Sequence, residues 1–394
     1  MAKSWEEINE RIAAGEAVVV TAEEFARIAA DDGVSAAAKK VDVVTTGTFG
    51  PMCSSGAFFN FGHADPPIKM QRILLNDVPA SGGLAAVDTY LGATEPSLSK
   101  GIEYGGAHVI EDLLRGKAVR LQAQGPGTDC YPRTEIDTWV TLSDLNQAYL
   151  FNPRNAYQNY AIAVNRSSET LYTYMGTLLP NLGNATFCSA GALSPLLNDP
   201  HYRTIGVGTR AFVAGAPGYV AWQGTQHNPN QTRDENGVPL APAGTLAVIA
   251  DLKKASPEFF SAATFSKYGV SAFVGIGIPI PVLDEDLAAT LALTDADLRA
   301  TAFDYGVPRR SRPALGTFSY AELRSGFIEI EGKKVRTGPI SSLPKARRIA
   351  EELKSWVLEK RWKLVEPLEP IPLAGEQGFS PLEIDNEKNG EEAV

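Results

Sequence analysis

The chain has little cysteine and little histidine. Three cysteines and four histidines stand among 394 residues, and no two cysteines form a CxxC pair. Three thiols without regular spacing do not make a disulfide framework like that of small secreted domains. Without a CxxC pair, a structural zinc site has no support in the sequence. We therefore expect a protein of a reducing, cytoplasmic compartment.

The chain also has no long apolar run and no excess of basic residues. The N-terminus MAKSWEEINERIAAGE lacks the apolar region of a signal peptide. The longest apolar stretches, such as 274–283, are interrupted by Gly and Pro and fall short of the roughly 20 residues that span a membrane. A formal net charge of −10 argues against nucleic acid, because phosphate binding needs a basic face. We expect neither a membrane nor a nucleic acid as a partner.

Apolar residues, in contrast, are plentiful. They make up 44% of the chain, which is enough to bury a sizeable core. Helices and strands alternate early and short strands dominate later, so we predict a mixed α/β (α+β) fold with mixed sheets and glycine-rich loops after strands. We predict one large catalytic domain over residues 1–366. An acidic, partly disordered tail over residues 367–394 is expected to follow it.

Capping and periodicity signals place the main elements. Capping boxes predict two N-terminal helices that begin after Ser4 and Thr21 and end near Gly15 and Gly33. Further helices are predicted at 107–114 and, with an apolar stripe from Ala346 to Val357, after Pro344. The predicted strands are 41–46, 119–124, 136–142, 245–250, 270–274 and a hairpin over 327–337.

Two of the cysteines, Cys53 and Cys130, occupy glycine-rich loops rather than apolar runs. A buried structural cysteine usually lies among hydrophobes, whereas a working cysteine needs backbone amides, partial exposure and nearby positive charge to hold its thiolate. Cys53 lies in TTGTFGPMCSSGAFFNFGH after the strand predicted at 41–46. Cys130 lies in GPGTDCYPR after the strand predicted at 119–124, with Arg133 just beyond. This parallel placement supports a shared pocket and suggests sulfur chemistry.

The segment 151–229 is rich in Asn, Gly, Tyr and Thr. Its many aromatic residues and β-branched runs are not those of a linker. We therefore expect turns and short strands that line a polar cleft for a small molecule. Tyr157, Tyr160, Tyr172 and Tyr174 are candidate lining residues, although aromatic clusters are usually core.

For the remaining histidines and the third cysteine, a functional and a structural interpretation both stay open. His63, and behind it His108, are candidates for a general acid, although a lone His in a loop is more often structural. His201 and His227 stand in turn-rich segments, where they equally cap carbonyl groups. Cys188, in NATFCSAG, is explained as well by an inert core position as by a function.

Ordered motifs identify a family. GTFGPMCSSGAFFNFGH, YGGAHVIEDL, GTDCYPR, NPRNAYQNYAIAVN, YTYMGTLLPN, YRTIGVGTR, GTQHNP and YGVSAFVGIGIPIPVLDED occur in this order. From about Val41 to the helix near Trp356, the chain resembles the homocysteine biosynthesis (HcyBio) family of anaerobic archaea and bacteria. Cys53 and Cys130 fall on the two key cysteines of that family. The sequence ends without the pair of CBS domains of the longer members, so regulation through such domains is not expected.

The resemblance implies an L-aspartate semialdehyde sulfurtransferase. This activity forms homocysteine from aspartate semialdehyde, with sulfur that comes ultimately from sulfide, and it needs two electrons. The implied electron donor is a separate ferredoxin-type iron–sulfur protein with a NIL domain. No flavin or nicotinamide motif replaces that donor, because the GIGIPIP stretch at Gly275 lacks a GxGxxG pattern. We expect no tightly bound cofactor.

From thiol chemistry we hypothesise roles for the two key cysteines. One carries the transferable sulfur as a persulfide, whose terminal sulfur adds to the aldehyde carbon. The other attacks the persulfide bond, and a Cys53–Cys130 disulfide forms. We expect Cys130 to be the carrier, because Arg133 can stabilise a thiolate there, and Cys53 to be the resolving thiol. His63 would protonate the departing oxygen.

The implied substrate, a small amino acid with a carboxylate and an ammonium, needs charged partners. A planar guanidinium suits the carboxylate, and the candidates are Arg133, Arg154 and Arg210. Asp129 or Asp65 would meet the ammonium. Each of these arginines is otherwise explained as a loop residue in a surface ion pair.

Three other interpretations stay open from the sequence. Cys53, Cys130 and Cys188 could ligate three irons of a [4Fe–4S] cluster whose fourth iron binds sulfide, although no local CxxC spacing supports it. A cysteine hydrolase or amidotransferase would need one essential cysteine and no reductant. A non-enzymatic sulfur carrier would be persulfidated without turning over an aldehyde. A homodimer is compatible with the size of the chain, without direct support in the sequence.

Overall fold

Side-chain caps begin the first two helices where the sequence predicts them. In the computed structural model, which describes residues 2–155, 158–373 and 382, the Ser4 hydroxyl accepts the Glu7 N–H at 3.1 Å. The helix ends at Gly15, whose φ of 81° turns the chain away. Thr21 caps the second helix in the same way. The α-helices of the described residues are α1 (Trp5–Ala14), α2 (Ala22–Asp32), α3 (Val34–Lys40), α4 (Gly106–Leu114), α5 (Pro195–Asn198), α6 (Glu285–Leu291), α7 (Tyr320–Arg324) and α8 (Leu343–Leu358).

The sequence pattern predicts α8 but not α3. α8 buries the predicted stripe, and its buried residues are Ala346, Ile349, Ala350, Leu353, Trp356 and Val357. α3 is not predicted, because Gly33 (φ 87°) ends α2 but the chain starts a new helix at the next residue. Within the part of the chain that the structure describes, no helix combines the length and the apolar character that a membrane crossing requires.

Strands outnumber helices, and most of them are short. The first half of the chain contributes β1 (Val19–Thr21), β2 (Val43–Thr45), β3 (Thr48–Pro51), β4 (Gly56–Asn60), β5 (Arg72–Leu75), β6 (Val78–Ser81), β7 (Asp88–Gly92), β8 (Pro96–Ser97), β9 (Gly101–Gly105), β10 (Val119–Gln124), β11 (Glu135–Val140), β12 (Gln147–Asn155), β13 (Ile162–Val164), β14 (Leu171–Thr173), β15 (Gly176–Leu178) and β16 (Ala185–Phe187). The second half contributes β17 (Gly206–Val207), β18 (Arg210–Val213), β19 (Ala216–Gln223), β20 (Leu246–Asp251), β21 (Phe260–Phe265), β22 (Gly269–Gly277), β23 (Pro279–Pro281), β24 (Arg299–Asp304), β25 (Ala314–Ser319), β26 (Phe327–Ile330), β27 (Lys333–Pro339) and β28 (Glu369–Pro370).

The strands form two main sheets, and with the helices they confirm the mixed α/β prediction. The large sheet has 13 strands in the order β11-β10-β5-β6-β7-β4-β12-β20-β19-β18-β22-β21, with β3 paired to β22. The second sheet has six strands in the order β25-β24-β13-β16-β27-β26. The described pairings of the large sheet are antiparallel, such as β10 with β11, whereas the six-stranded sheet mixes the two directions, since β16 runs parallel to β27.

The predicted strands are found with small shifts at their ends. The strand predicted at 119–124 is β10, the strand predicted at 136–142 is β11 with bounds one and two residues earlier, and the predicted hairpin is β26–β27. The strand predicted at 41–46 shortens to β2. β10 and β26 alternate in burial, which is the signal that their sequences carry, whereas β2 is buried at all three positions.

Each main sheet buries one face against a helix. Leu121 of β10 and Ile110 of α4 belong to the core of the large sheet, and Phe187 of β16 and Tyr320 of α7 belong to that of the six-stranded sheet. The edge of β3 and the end of β16 contribute residues to one cavity. The two sheets therefore meet at that cavity.

The first residues of the segment predicted as a tail lie against the body. The Leu368 N–H donates to the Val207 carbonyl at 2.8 Å, β28 pairs with β17, and Ile371 is buried. Residues 374–381 and 383–394 lie outside the described residues. The predicted disorder of the acidic tail therefore stays a prediction.

Candidate active site

A cavity of about 340 Å³ lies where the two sheets meet. Its volume suits a small metabolite. Both polar and apolar side chains line it, and two of its lining residues are cysteines. The residues that matter for its chemistry are Cys53, Arg154, Asn159, Tyr174, Cys188 and Tyr268.

Cys53 lies in the tight turn between β3 and β4. The Met52 N–H donates to the Ala272 carbonyl at 2.7 Å, which fixes the turn to β22, and the Ser55 N–H closes it on the Met52 carbonyl at 3.0 Å. The Cys53 thiol is half-buried and shares a hydrogen bond of 3.1 Å with the Ser271 hydroxyl. Burial raises the pKa of this thiol, and donation from Ser271 offsets part of the rise.

Asn152 ties the Cys53 turn to Arg154. The side-chain oxygen of this buried residue accepts two hydrogen bonds, from the Arg154 N–H at 2.7 Å and from the Ser54 hydroxyl at 2.9 Å. Its nitrogen donates to the Ser55 hydroxyl at 2.9 Å. The register of β12 shifts between Asn152 and Asn155, and this bulge lies where Arg154 enters the cavity wall. A β-bulge re-aims a side chain in this way beside many functional sites.

Arg154 is the cation of the described cavity wall. Its Nε donates to the Thr225 hydroxyl at 3.1 Å. Among the lining residues that the structure describes, none is Asp or Glu. The guanidinium of the wall can therefore bind a carboxylate of a ligand. An ammonium of the ligand would contact neutral oxygens and aromatic rings instead.

Cys188 reaches the cavity from the six-stranded sheet. It directly follows β16, and hydrogen bonds hold its neighbours on both sides. The Ile340 N–H donates to the Phe187 carbonyl at 2.9 Å, and the Ser341 hydroxyl both accepts the Ser189 N–H at 3.0 Å and lies 2.9 Å from the Ser189 carbonyl. Burial, and to a smaller extent the Cys53 thiol, raise the pKa of Cys188 to about 12.

Tyrosine hydroxyls complete the wall. Tyr174 shares a hydrogen bond of 3.0 Å with Tyr305. Burial raises the pKa of Tyr268, and the nearby Cys53 adds to the rise, so the Tyr268 hydroxyl keeps its proton and can donate it in a hydrogen bond. Tyr160 also lines the cavity, whereas Tyr172 is exposed and Tyr157 lies outside the described residues.

Cys130 lies elsewhere, at the tip of the β10–β11 hairpin. The Thr128 N–H and the Tyr131 carbonyl, 2.9 Å apart, close the hairpin loop, and both Asp129 and Cys130 are exposed. Four strands of the large sheet separate β11 from β4, which follows Cys53. In contrast to the expectation of a shared pocket, the structure does not place Cys130 among the described residues of the cavity. Cys130 does follow its predicted strand, β10, whereas Cys53 follows β3, a strand within the segment predicted as a loop.

His63 and Arg133 accompany Cys130 rather than Cys53. The exposed ring of His63 stacks on Tyr131, with centroids 5.9 Å apart. The Arg133 guanidinium donates to the carbonyls of Asp65 at 2.7 Å and Pro66 at 2.9 Å. Asp65 is exposed as well. The predicted site residues therefore fall into two separate groups.

The other candidates have structural contacts. Arg210, on β18, stacks 4.3 Å from the Trp362 ring and donates to the Lys363 carbonyl. His108 accepts the Gly105 N–H at 3.2 Å and caps α4, and burial lowers its pKa. His227 accepts the Thr245 N–H and lies 2.8 Å from the Pro372 carbonyl. None of these three lines the cavity as far as the structure describes it.

Sequence reasoning missed Asn152, Ser271 and Tyr268 as members of the site. All three lie in motifs that carry the family resemblance, Asn152 in NPRN and the other two in YGVSAFVG. The motif is the signal that marks them, but their contacts depend on which strands pair. The three cysteines do not converge among the described residues, where no cluster of three or more His, Cys, Asp or Glu side chains forms. We therefore derive no step through an iron–sulfur cluster.

Comparisons with known proteins agree with the motifs. The L-aspartate semialdehyde sulfurtransferase of Methanosarcina acetivorans is 52% identical over 373 residues, which cover 95% of this chain and 73% of that protein. The protein of the same name from Methanocaldococcus jannaschii is 52% identical over 384 residues, covering 94% and 73%. An uncharacterized protein of Methanothermobacter thermautotrophicus is 29% identical over 332 residues, covering 82% and 72%. No solved structure gives a significant match.

The profile of one protein family spans nearly the whole body described above. That family is described as homocysteine biosynthesis enzyme, sulfur-incorporation, and the match covers residues 17–364. These residues include both sheets, the cavity and all three cysteines. The chain belongs to the homocysteine biosynthesis enzyme family.

Proposed function

We propose that this protein is an L-aspartate semialdehyde sulfurtransferase, which forms L-homocysteine from L-aspartate semialdehyde and sulfide-derived sulfur. The cavity that presents Cys53 beside Arg154 is the observation that carries this proposal. A sulfur nucleophile and a cation for a carboxylate are what an amino-acid aldehyde requires. Relatives at 52% identity that bear this name support the choice of substrate.

Arg154 binds the substrate carboxylate. Its guanidinium is the cation of the described wall, and the buried Asn152 fixes its backbone to the turn that carries Cys53. This coupling holds the carboxylate and the reacting aldehyde at a set separation, which lowers the entropic cost of the addition. The substrate ammonium lies against the tyrosines, since the described wall holds no carboxylate.

The sulfur travels as a persulfide. Cys130, exposed at its hairpin tip, attacks a persulfide or polysulfide made from sulfide and becomes Cys130–S–SH, while the rest of that donor leaves as a thiol or hydrosulfide. The terminal sulfur then passes to Cys53, so that one S–S bond breaks and another forms. Since the Cys130 tip lies outside the described cavity, this transfer requires the hairpin to approach Cys53. The Cys53 persulfide then adds to the aldehyde carbon, and the carbonyl oxygen becomes a hydroxyl.

The departing oxygen needs a proton, and Tyr268 is placed to supply it. This hydroxyl lies in the cavity near Cys53 and stays protonated because burial raises its pKa. His63 lies with Cys130 instead, where a role in the uptake of sulfur suits it better. Loss of water gives a thioaldehyde, and two electrons from an external iron–sulfur donor of the ferredoxin type reduce it to the thiol.

The test is anaerobic turnover of aspartate semialdehyde with polysulfide, prepared from sulfide and sulfur, and a strong reductant, scored as homocysteine. We expect product from the wild type, none above background from Cys53→Ser, and a large loss in Cys130→Ser. Arg166→Lys, at a half-exposed ion pair with Glu331, is a matched control for handling and folding.

The possible results separate the competing functions. Loss of activity only in Cys53→Ser, without any need for a reductant, would indicate a cysteine hydrolase. Wild-type protein that becomes persulfidated but yields no homocysteine, even with an iron–sulfur donor, would indicate a sulfur carrier and refute the proposal.

A further inference from the structure

Cys188 is a thiol that the mechanism above leaves unused, although it lines the same cavity as Cys53. The two cysteines arrive from different sheets, Cys53 on the β3–β4 turn and Cys188 at the end of β16. Both are free thiols. Thiol–disulfide exchange requires access of one sulfur to another, and a shared cavity gives Cys188 access to the chemistry proposed for Cys53.

The segments that carry the two thiols approach closely. A Cβ at Gly50, three residues before Cys53, would lie 3.0 Å from the Cys188 Sγ. Any larger residue at position 50 would therefore press on this thiol. The Cys53 thiol also adds to the raised pKa of Cys188, after the larger effect of burial.

The anchors on both sides of Cys188 restrict where its thiol can go. Ser341 holds the backbone of Ser189 through both its N–H and its carbonyl, and Ile340 holds Phe187. Cys53, in contrast, lies on a turn whose thiol contact is the Ser271 hydroxyl. Hydrogen bonds thus hold the backbone on both sides of Cys188, whereas Cys53 lies on a turn.

We propose that Cys188 resolves the Cys53 persulfide, so that a Cys53–Cys188 disulfide forms in the cavity during sulfur transfer. This inference rests on the proposed function and deepens it. It assigns the disulfide to a pair that shares the cavity, whereas the Cys53–Cys130 pair hypothesised from the sequence is separated in this structure.

The steps balance in atoms and electrons. The Cys53 persulfide adds to the aldehyde and gives Cys53–S–S–CH(OH)–R. The Cys188 thiol, losing its proton, attacks the Cys53 Sγ, which forms the Cys53–Cys188 bond, breaks the original S–S bond and releases ⁻S–CH(OH)–R. That product loses hydroxide, which leaves as water once protonated, and becomes the thioaldehyde.

Two reductions complete the cycle, and both draw on the external iron–sulfur donor. Two electrons and two protons convert the thioaldehyde to homocysteine, and two more of each return the disulfide to two thiols. The persulfide sulfur is two electrons more oxidised than sulfide. The sulfur therefore enters at that oxidation level from a persulfide or polysulfide, and one turnover takes four electrons from the iron–sulfur donor.

The buried environment of the two sulfurs favours the neutral thiol and disulfide over a stable thiolate. Burial disfavours the charged form of both thiols, but a disulfide is uncharged and loses nothing by burial. The cavity therefore suits the neutral thiol and disulfide states, and the Cys188 proton has to leave as the attack proceeds.

The first experiment maps disulfides in the full-length wild-type protein without any turnover. The protein is oxidised under native conditions with diamide, free thiols are alkylated, and the peptides are analysed by mass spectrometry. We expect the Cys53–Cys188 disulfide, with Cys130 recovered as the alkylated thiol. Recovery of a Cys53–Cys130 disulfide, or of three alkylated thiols, would overturn the inference.

The second experiment separates the resolving step from folding. Cys188→Ser, supplied with a persulfide donor and aspartate semialdehyde, should accumulate Cys53 peptide with one additional sulfur atom and make homocysteine only at the background rate. Gly50→Ala presses on the Cys188 thiol without removing it and should slow formation of the disulfide. Gly338→Ala is the matched control, because a Cβ at this position in β27 meets no atom within 4 Å.

The outcomes distinguish the inference from the function on which it rests. Cys188→Ser that turns over at the wild-type rate, while Cys53→Ser is inactive, would refute the role of Cys188 and leave the sulfurtransferase intact. Wild-type protein that makes no homocysteine would remove the function and this role together. If Cys188→Ser misfolds, the disulfide map still tests the role of Cys188, because that experiment uses the wild-type protein.

Discussion

The turn that carries Cys53 and the hairpin tip that carries Cys130 look alike in sequence and differ in the folded protein. Both are glycine-containing loops that follow a strand. The Cys53 turn is held by Ala272, Ser271 and the buried Asn152, and Cys53 lines the cavity. The Cys130 loop closes on itself through Thr128 and Tyr131, and its thiol is exposed. Neighbouring strands, rather than the loop sequence, make this difference.

The comparison teaches a division of labour. An exposed thiol can meet an external sulfur source, but water surrounds it and competes for any electrophile there. A thiol in a cavity beside Arg154 can be aligned with a bound aldehyde, but an external donor reaches it less easily. A protein that moves sulfur from outside onto a bound small molecule needs both environments. We propose that Cys130 takes up the sulfur and that Cys53 transfers it to the substrate.

The largest expected effect is a difference in alkylation rate between the two environments. Iodoacetamide should modify Cys130 at least about 100-fold faster than Cys188, because at pH 8 a thiol with a pKa of about 12 is a thiolate in only about one molecule in 10⁴. Time-resolved peptide mass spectrometry on native protein gives the rates. In urea the three cysteines should react alike. Equal alkylation rates of Cys130 and Cys188 in the native protein would contradict the difference in burial between the two thiols.

The next effect concerns the two arginine environments. Arg154→Lys should raise the KM for aspartate semialdehyde by about 10- to 100-fold, because the planar guanidinium contact with the carboxylate is lost. Arg133→Lys should change the KM little, since this guanidinium is engaged with the Asp65 and Pro66 carbonyls. Steady-state kinetics test both, with Arg166→Lys as the control. A larger KM effect in Arg133→Lys would move substrate binding to the hairpin and reverse the comparison.

The smallest effect tests how finely the turn tunes its thiol. Donation from the Ser271 hydroxyl lowers the pKa of Cys53, so Ser271→Ala should raise that pKa and shift the pH profile of Cys53 alkylation to higher pH. A lost hydrogen bond of about 0.5–1.5 kcal/mol corresponds to about two- to tenfold less thiolate at a given pH. Ser261→Ala on the neighbouring β21 is the control. A shift to lower pH, or equal shifts in both variants, would contradict the assignment.

Four of the eight α-helices that the structure describes, and several strands, follow from local signals. The caps at Ser4 and Thr21 and the stripe of α8 depend on spacing within about one or two turns of helix. β10 is found at its predicted bounds because its alternation matches a half-buried strand. α3 was missed, since a glycine that ends one helix does not determine what the next residue does. Strand order in the 13-stranded sheet has no local signal, because antiparallel partners lie at any distance along the chain.

The site was predicted in part. Cys53 and Arg154 were singled out from their motifs, and both line the cavity. Their roles stay proposals. Cys188 was left undecided, because an apolar neighbour such as Phe187 is equally typical of a core cysteine. Asn152 and Ser271 were not singled out, since each acts through a hydrogen bond to a residue about 100 or more positions away.

The sequence by itself determined the family, the fold class and the two loops in which sulfur chemistry is expected, because ordered motifs, caps and periodicities are properties of neighbouring residues. Only the tertiary structure decided which thiols share a cavity. Cys53 and Cys188 share it because β3 pairs with β22 in one sheet and β16 pairs with β27 in another, and Gly50 lets the β3 backbone approach the Cys188 thiol. Cys130 is kept apart because β11 ends the far side of the large sheet. Contacts between distant segments are set by strand pairing and packing, which no short stretch of sequence encodes.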